Sequence, residues 1–190
     1  MQDFQAFTVK YSGKTNVLFC EGVGVSQAFD PNTDNINQFP VTTLRAIWDT
    51  GASCTLISKD YAEKIGLIPT GKTTITGVNN SSIENTYQVN VYLPNKVNLV
   101  FLKVVEAPAL AGGAGLLIGM DIIGFGDFTV FNEEGKTVMS YRIPSIGGED
   151  YVKLAGNIRS QREIIQKLDN QRKNRKPLSK KERLKRKLKR

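Results

Sequence analysis

The stretch Ala46-Ile47-Trp48-Asp49-Thr50-Gly51-Ala52-Ser53 decides how this chain folds and what chemistry it can carry. Three apolar residues run into a carboxylate, small residues follow, and the apolar text resumes at Cys54-Thr55-Leu56-Ile57. A carboxylate at the end of a buried strand is costly unless something uses or satisfies it. Gly51 and Ala52 permit a tight turn behind Asp49 and let another backbone approach closely. The pattern predicts a strand over 41–48 that delivers Asp49 to a turn.

Outward from that strand, the first 148 residues read as β-structure. Runs at 7–11 and 15–20 are separated by Ser12-Gly13-Lys14, which predicts a hairpin. Residues 30–35 form a polar loop. A short helix is expected over 59–67, with Ser58 as its N-cap and Gly66 as its stop. Strands at 73–76 and 86–93 flank a small polar tip at 77–82, a hairpin that projects from the body. Further strands follow at 97–105 and within 116–124, the latter a buried strand passing into a short helical turn. Residues 127–131 and 136–143 pair across Asn132-Glu133-Glu134-Gly135. Many short strands with regular turns predict an all-β domain over 1–148, a small closed or partly closed barrel.

Charge is divided unevenly. Residues 1–150 hold ten Lys/Arg against fifteen Asp/Glu, a net of −5, whereas residues 151–190 hold sixteen against three, a net of +13. The overall +8 therefore belongs to the tail, and the domain itself is mildly acidic. Two cysteines are too few for a disulfide framework or a zinc cage. The absence of histidine excludes Cys/His metal sites and any Ser-His or Cys-His machinery. Met1-Gln2-Asp3-Phe4-Gln5 does not resemble a leader peptide. The longest apolar stretch, 107–120, is Gly-rich and shorter than the ~20 residues of a spanning helix. A soluble, cytoplasmic protein is expected. Gly112-Gly113-Ala114-Gly115 lacks the Gly-Lys-Ser/Thr ending of a phosphate loop and is read as a plain loop.

Residues 149–190 form a basic C-terminal extension, helical or partly disordered. Leu154, Ile158, Ile165 and Leu168 recur at helical spacing, interrupted by Gln161, and predict a helix over roughly 157–170. Ser179-Lys180-Lys181-Glu182 resembles a capping box that opens a second, basic helix with Leu184 and Leu188 one turn apart. The Lys/Arg cluster over 171–190 suits nucleic acid or another polyanion, bound through backbone electrostatics. A solvated extension with no fixed partner fits the same text. No aromatic lies beyond Tyr151, which argues against base stacking.

Asp49-Thr50-Gly51-Ala52 together with Leu117-Ile118-Gly119 resembles the retropepsin-like aspartic proteases, a single-domain family, over about residues 1–145. The resemblance implies a closed barrel of the retropepsin/acid protease type and makes Asp49 the catalytic residue. The chemistry needs two carboxylates that share a proton, one drawing a proton from water and the other donating to the substrate carbonyl. The chain carries a single Asp-Thr-Gly. A homodimer with its two-fold axis between two copies of Asp49 supplies the pair. By the same resemblance, Thr50 hydrogen-bonds across the dimer and Gly51, with Ala52 behind it, offers its backbone to substrate. Gly77 and Val78 belong to a flap that closes over an extended peptide. Leu117, Ile118 and Gly119 pack beneath the catalytic loop, and Asp121 is structural. Trp48 either narrows a pocket or fills the core. The mechanism calls for no metal and no organic cofactor. The alternative is a catalytically inactive protease fold acting as a nucleic-acid-associated binding protein through its basic tail.

Overall fold

The elements follow in the order β1 (Gln5–Lys10), β2 (Leu18–Gln27), β3 (Thr42–Trp48), β4 (Leu56–Ser58), α1 (Lys59–Ile65), β5 (Gly71–Thr76), β6 (Ser81–Tyr92), β7 (Asn98–Ala107), β8 (Leu116–Ile118), α2 (Met120–Ile123), β9 (Asp127–Glu133), β10 (Lys136–Ile143) and α3 (Tyr151–Lys173). The computed structural model describes residues 3–76 and 81–173. The chain divides after Gly147 into two units. The first holds every strand, and the second contains α3.

Six strands close into a barrel in the order β2, β3, β8, β4, β7 and β6, with β6 pairing back onto β2. Strand β5 pairs with β6 outside the ring. Closure depends on β2 serving two neighbours. Its first half, Leu18 to Cys20, lies opposite Trp48 to Ala46, and the register then shifts between Cys20 and Val23. Beyond the shift, Gly24 to Gln27 also face Tyr92 to Val89. Such a bulge bends a strand and increases its twist. Gly22 sits in it at φ +77°, a backbone state that glycine enters without a Cβ clash. The interior is lined by β-branched residues from several strands, among them Val23, Val25, Val89, Val91 and Val104, all fully buried. The all-β closed barrel expected from the strand and turn spacing is what forms.

A second sheet, ordered β1-β10-β9, packs an aromatic cluster around the end of β3. Phe7, Phe128 and Tyr141 lie 5.7, 5.5 and 4.8 Å from the Trp48 ring, centroid to centroid. Trp48 is 3% exposed, so it fills the core beside Asp49. Its indole nitrogen is buried without a hydrogen-bond partner among the described residues.

The hairpin expected from 7–11 and 15–20 does not form. Strand β1 pairs instead with β10, setting Phe7 opposite Tyr141 and Val9 opposite Met139. The physical reason is the aromatic cluster: only this pairing brings Phe7 onto both Trp48 and Tyr141. The intervening turn is held by Tyr11 N–H donating to Thr137 O and Thr137 N–H donating to Gly13 O, each at 3.1 Å. Helix α1 ends as expected at Gly66, in the left-handed region at φ 75°, but the Ser58 side chain makes no capping bond at its start. Helix α3 begins earlier than the apolar spacing predicts. Asp150 Oδ1 accepts from Val152 N–H at 2.9 Å and Lys153 N–H at 3.1 Å, a capping signal that adds nearly two turns. The tip residues Gly77 and Val78, and the second basic helix expected after Ser179, lie outside the described residues. No helix among the described residues is long and apolar enough to cross a membrane.

The end of the first unit is clasped by Asp127. Its carboxylate accepts from Ser145 Oγ at 2.6 Å, Arg142 Nε at 2.7 Å and Ile146 N–H at 3.0 Å. These donors, Ser145 first and Arg142 next, hold the Asp127 carboxyl down at about 2 against an ordinary 3.8. A depressed folded-state pKa stabilises the fold above the unfolded value and loses that contribution as pH falls through the folded one. Asp127→Asn is therefore expected to lower the thermal midpoint at pH 6, with the gap from wild type narrowing between pH 4 and pH 2. Thermal melts of both proteins across that range check it.

Candidate active site

The parallel pairing of β3 with β8 sets Trp48 beside Ile118. The ladder continues one residue further, because Asp49 N–H donates to Ile118 O at 3.0 Å. There β3 stops and the chain turns, with Ala52 N–H reaching Asp49 O at 3.3 Å. Gly51 N–H donates to Asp49 Oδ1 at 2.8 Å and so fixes the carboxylate's orientation. A Cβ on Gly51 would lie 3.1 Å from that same oxygen, so a side chain there would crowd the carboxylate. Oδ2 accepts no hydrogen bond from the described residues. Asp49 is half-buried, while Thr50 and Gly51 are exposed. The Thr50 side chain makes no hydrogen bond among the described residues.

The turn is strapped to the chain that leaves β8. Met120 N–H donates to Ala52 O at 2.8 Å. Thr55, fully buried, donates through Oγ1 to Asp121 Oδ1 at 2.7 Å and through its N–H to Oδ2 at 2.8 Å. Its Oγ1 also accepts from Gly119 N–H at 3.2 Å, and Ile122 N–H adds a third donor to Asp121 at 3.0 Å. A buried hydroxyl and a carboxylate thereby satisfy each other and the Gly119 amide at the start of α2. The residues Leu117, Ile118 and Gly119 separate in role. Ile118 is fully buried in the core, and Leu117 lines the cleft above Asp49. Gly119 lies against the other loop, where a Cβ would fall 2.6 Å from both the carbonyl carbon and the oxygen of Cys54. The last turn of the site is tied to the aromatic cluster, because Tyr141 Oη donates to Ile122 O at 2.9 Å.

Asp49 and Thr50 border a cleft of about 500 Å³ whose walls include Val17, Ile47, Leu117 and Phe128. Its lining mixes these apolar side chains with the polar groups of Asn16, Asp49 and Thr50. Cysteine chemistry has no place here: burial pushes the half-buried Cys54 thiol up, with Asp121 adding to the effect. A thiol held protonated is a poor nucleophile. Cys20 is buried and its thiol is pushed up to about 11, first by burial and then by Glu21. Among the described residues no group of three His, Cys, Asp or Glu side chains is placed to hold a metal ion.

Residues 35–122 match the family model described as aspartyl protease, a span that contains Asp49, Thr55, Gly119 and Asp121. The match to this family covers just under half of the chain. No curated protein matches the chain. Among solved structures, it is similar to a retropepsin-like aspartic protease from Rickettsia conorii, with 13% identity over 75% of this chain and 98% of that one, at a TM-score of 0.44. It is also similar to the EIAV protease in complex with the inhibitor HBY-793, with 17% identity, 61% and 92% coverage and a TM-score of 0.42. A third is the retroviral protease-like domain of Ddi1 from Leishmania major, with 19% identity, 66% and 94% coverage and a TM-score of 0.36.

Within the matched segment, the structure brings together Asp49, Thr50, Gly51, Ala52, Leu117, Ile118 and Gly119. Thr55 is the residue that sequence reading passes over. Its signal is slight: a hydroxyl six residues after the aspartate, inside an otherwise apolar run. Thr55→Val keeps the shape and removes both Oγ1 bonds, leaving Asp121 and the Gly119 amide short of a partner. The expected cost is about 1–3 kcal/mol of stability. Gly119→Ala forces a Cβ into the Cys54 peptide and is expected to cost a similar amount or more. Denaturant unfolding of the two variants checks both, and a midpoint equal to wild type in either would show that the strap does not hold the turn.

Proposed function

We propose that the protein is an aspartic endopeptidase that works as a homodimer, with one Asp49 from each subunit forming the catalytic pair. The observation that carries this reading is the state of the Asp49 carboxylate. One oxygen is fixed by the Gly51 amide, the other accepts nothing from the described residues, and Asp49 borders the cleft. A carboxylate held by one oxygen and open at the other can engage a water or a substrate group in the cleft. The aspartyl protease match over residues 35–122 supports the same reading.

In the proposed dimer the two carboxylates share one proton, because like charges at such separations do not both ionise. The ionised member takes a proton from a water held between them. That water attacks the scissile carbonyl, while the protonated member donates to the carbonyl oxygen. The tetrahedral product then collapses with proton transfer to the leaving nitrogen. Thr50, exposed and without a hydrogen bond among the described residues, is available to pair across the two-fold axis. The substrate is an extended peptide, whose backbone is gripped as an added strand. Gly77 and Val78 are assigned to the flap that covers it. Apolar walls contributed by Val17, Ile47, Leu117 and Phe128 favour apolar side chains beside the scissile bond.

Asp49→Asn is expected to fold normally and to lower peptide cleavage by at least about 10³-fold, the scale of losing a positioned acid–base group. A peptide-library assay from acidic to neutral pH, with wild type and variant in parallel, checks this. Full activity in the variant would overturn the proposal. A second reading rests on the +13 charge of residues 151–190 and assigns the tail to polyanion contact. It expects salt-sensitive binding to any duplex, lost when residues 171–190 are removed, as read by binding titrations at two ionic strengths.

A further inference from the structure

Helix α3 exposes an apolar seam that the protease reading leaves unused. Tyr151, Leu154, Ile158, Ile165 and Leu168 are spaced by three and four residues, with Gln161 at the one other seam position between Tyr151 and Leu168 and Arg172 at the seam position where the apolar run ends. All five are exposed, from 39% for Leu154 to 65% for Tyr151. The repeat is a heptad, placing Tyr151, Ile158 and Ile165 at the first position and Leu154, Gln161 and Leu168 at the fourth. Isoleucine at the first position with leucine at the fourth is the combination that favours two parallel strands.

We propose that α3 pairs with α3 of a second copy as a parallel, in-register two-stranded coiled coil. The polar residue in the seam selects this occupant. In register, Gln161 meets Gln161 of the partner subunit, and each amide can donate to the other's carbonyl. Against an apolar groove, or in an antiparallel pair that sets it beside Ile158, the same amide is buried without a partner. The flanks agree. Across a parallel pair Asn157 faces Arg162 of the partner subunit and Ile164 faces Asp169 of the partner subunit, so no like charges oppose each other. The helix is 23 residues long, just over three heptads, which is about the shortest length that sustains such a seam.

The inference rests on the homodimer reading and gives it a means of assembly. Residues 144–150, which carry no helix or strand, join the barrel unit to α3. Pairing of the helices turns barrel–barrel encounter into an intramolecular event, at an effective concentration in the millimolar range for so short a link. A site completed by two chains then forms at chain concentrations where barrels alone would stay apart.

The test uses the full chain carrying Asp49→Asn, so that cleavage cannot alter it. Sedimentation velocity measures the dimer dissociation constant with and without the pair Ile158→Asp and Ile165→Asp, which touches only exposed helix positions. The expected result is a rise of at least tenfold, with the thermal midpoint of the barrel unchanged. Mild oxidation of a Leu168→Cys protein is expected to trap a covalent dimer well above the background set by Cys20 and Cys54. A monomer at every concentration, or an unchanged dissociation constant, overturns the proposal. Weakening without trapping overturns the parallel register, and trapping without weakening marks a chance encounter. Because none of these readouts is activity, the outcomes separate the two proposals. Asp49-dependent cleavage by wild type alongside a failed cross-link removes the coiled coil alone, and a cross-linked dimer without cleavage removes the protease reading alone.

Discussion

The approach of Gly119 to the Cys54 peptide governs the geometry of the site. Two loops leave neighbouring strand ends, one from β3 and one from β8, and must pass within backbone contact of each other. A single methyl group at residue 119 would sit 2.6 Å from the Cys54 carbonyl, too close for any side chain. With glycine there, Thr55 reaches both the Gly119 amide and Asp121, and Ala52 receives the Met120 amide. The turn bearing Asp49 is thus held by short polar bonds anchored on the buried Thr55. Rigidity of that kind is what an acid–base group needs, since its usefulness depends on being held where the reacting atoms come.

Comparison of the acidic side chains sharpens the point. Asp121 accepts from Thr55 twice and from Ile122, and Asp127 accepts from Ser145, Arg142 and Ile146. Glu106, buried on β7, accepts from Tyr87 Oη and from Asn85 Nδ2. Asp121 and Asp127 are engaged at both carboxylate oxygens, whereas both donors to Glu106 reach the same oxygen, Oε2. Asp49 takes a single amide from its own turn.

Much of this was legible in the sequence because it is local. Asp49-Thr50-Gly51 at the end of an apolar run, Gly66 closing α1, and the β9–β10 turn at Glu134 and Gly135 are each written within a few neighbouring residues. What escaped was long-range or shared. The partner of β1 lies some 130 residues away, and nothing in Phe7, Val9 or Tyr11 names β10 over the nearer β2. Their choice is made by the Trp48 cluster, which exists only once the barrel has formed. Thr55 escaped because a buried threonine looks like any strand residue until Asp121 is beside it. The first turns of α3 escaped because apolar spacing marks a helix's face and not its start, which the Asp150 cap sets.

Ring closure also decides where this molecule can still be extended by main-chain pairing. Every strand of the barrel has a neighbour on both sides, so its amides and carbonyls are largely committed. Among the described strands, the outer flanks of β5, β1 and β9 remain open. Such flanks attract any extended segment that comes near, whether wanted or not. Strand β9 carries Val130 and Phe131 exposed beside its open flank, with Lys136 opposite Glu133 at the turn end. The seam that keeps the barrel shut therefore concentrates the molecule's stickiness onto a few borders, and crowding or partial unfolding would be felt there first.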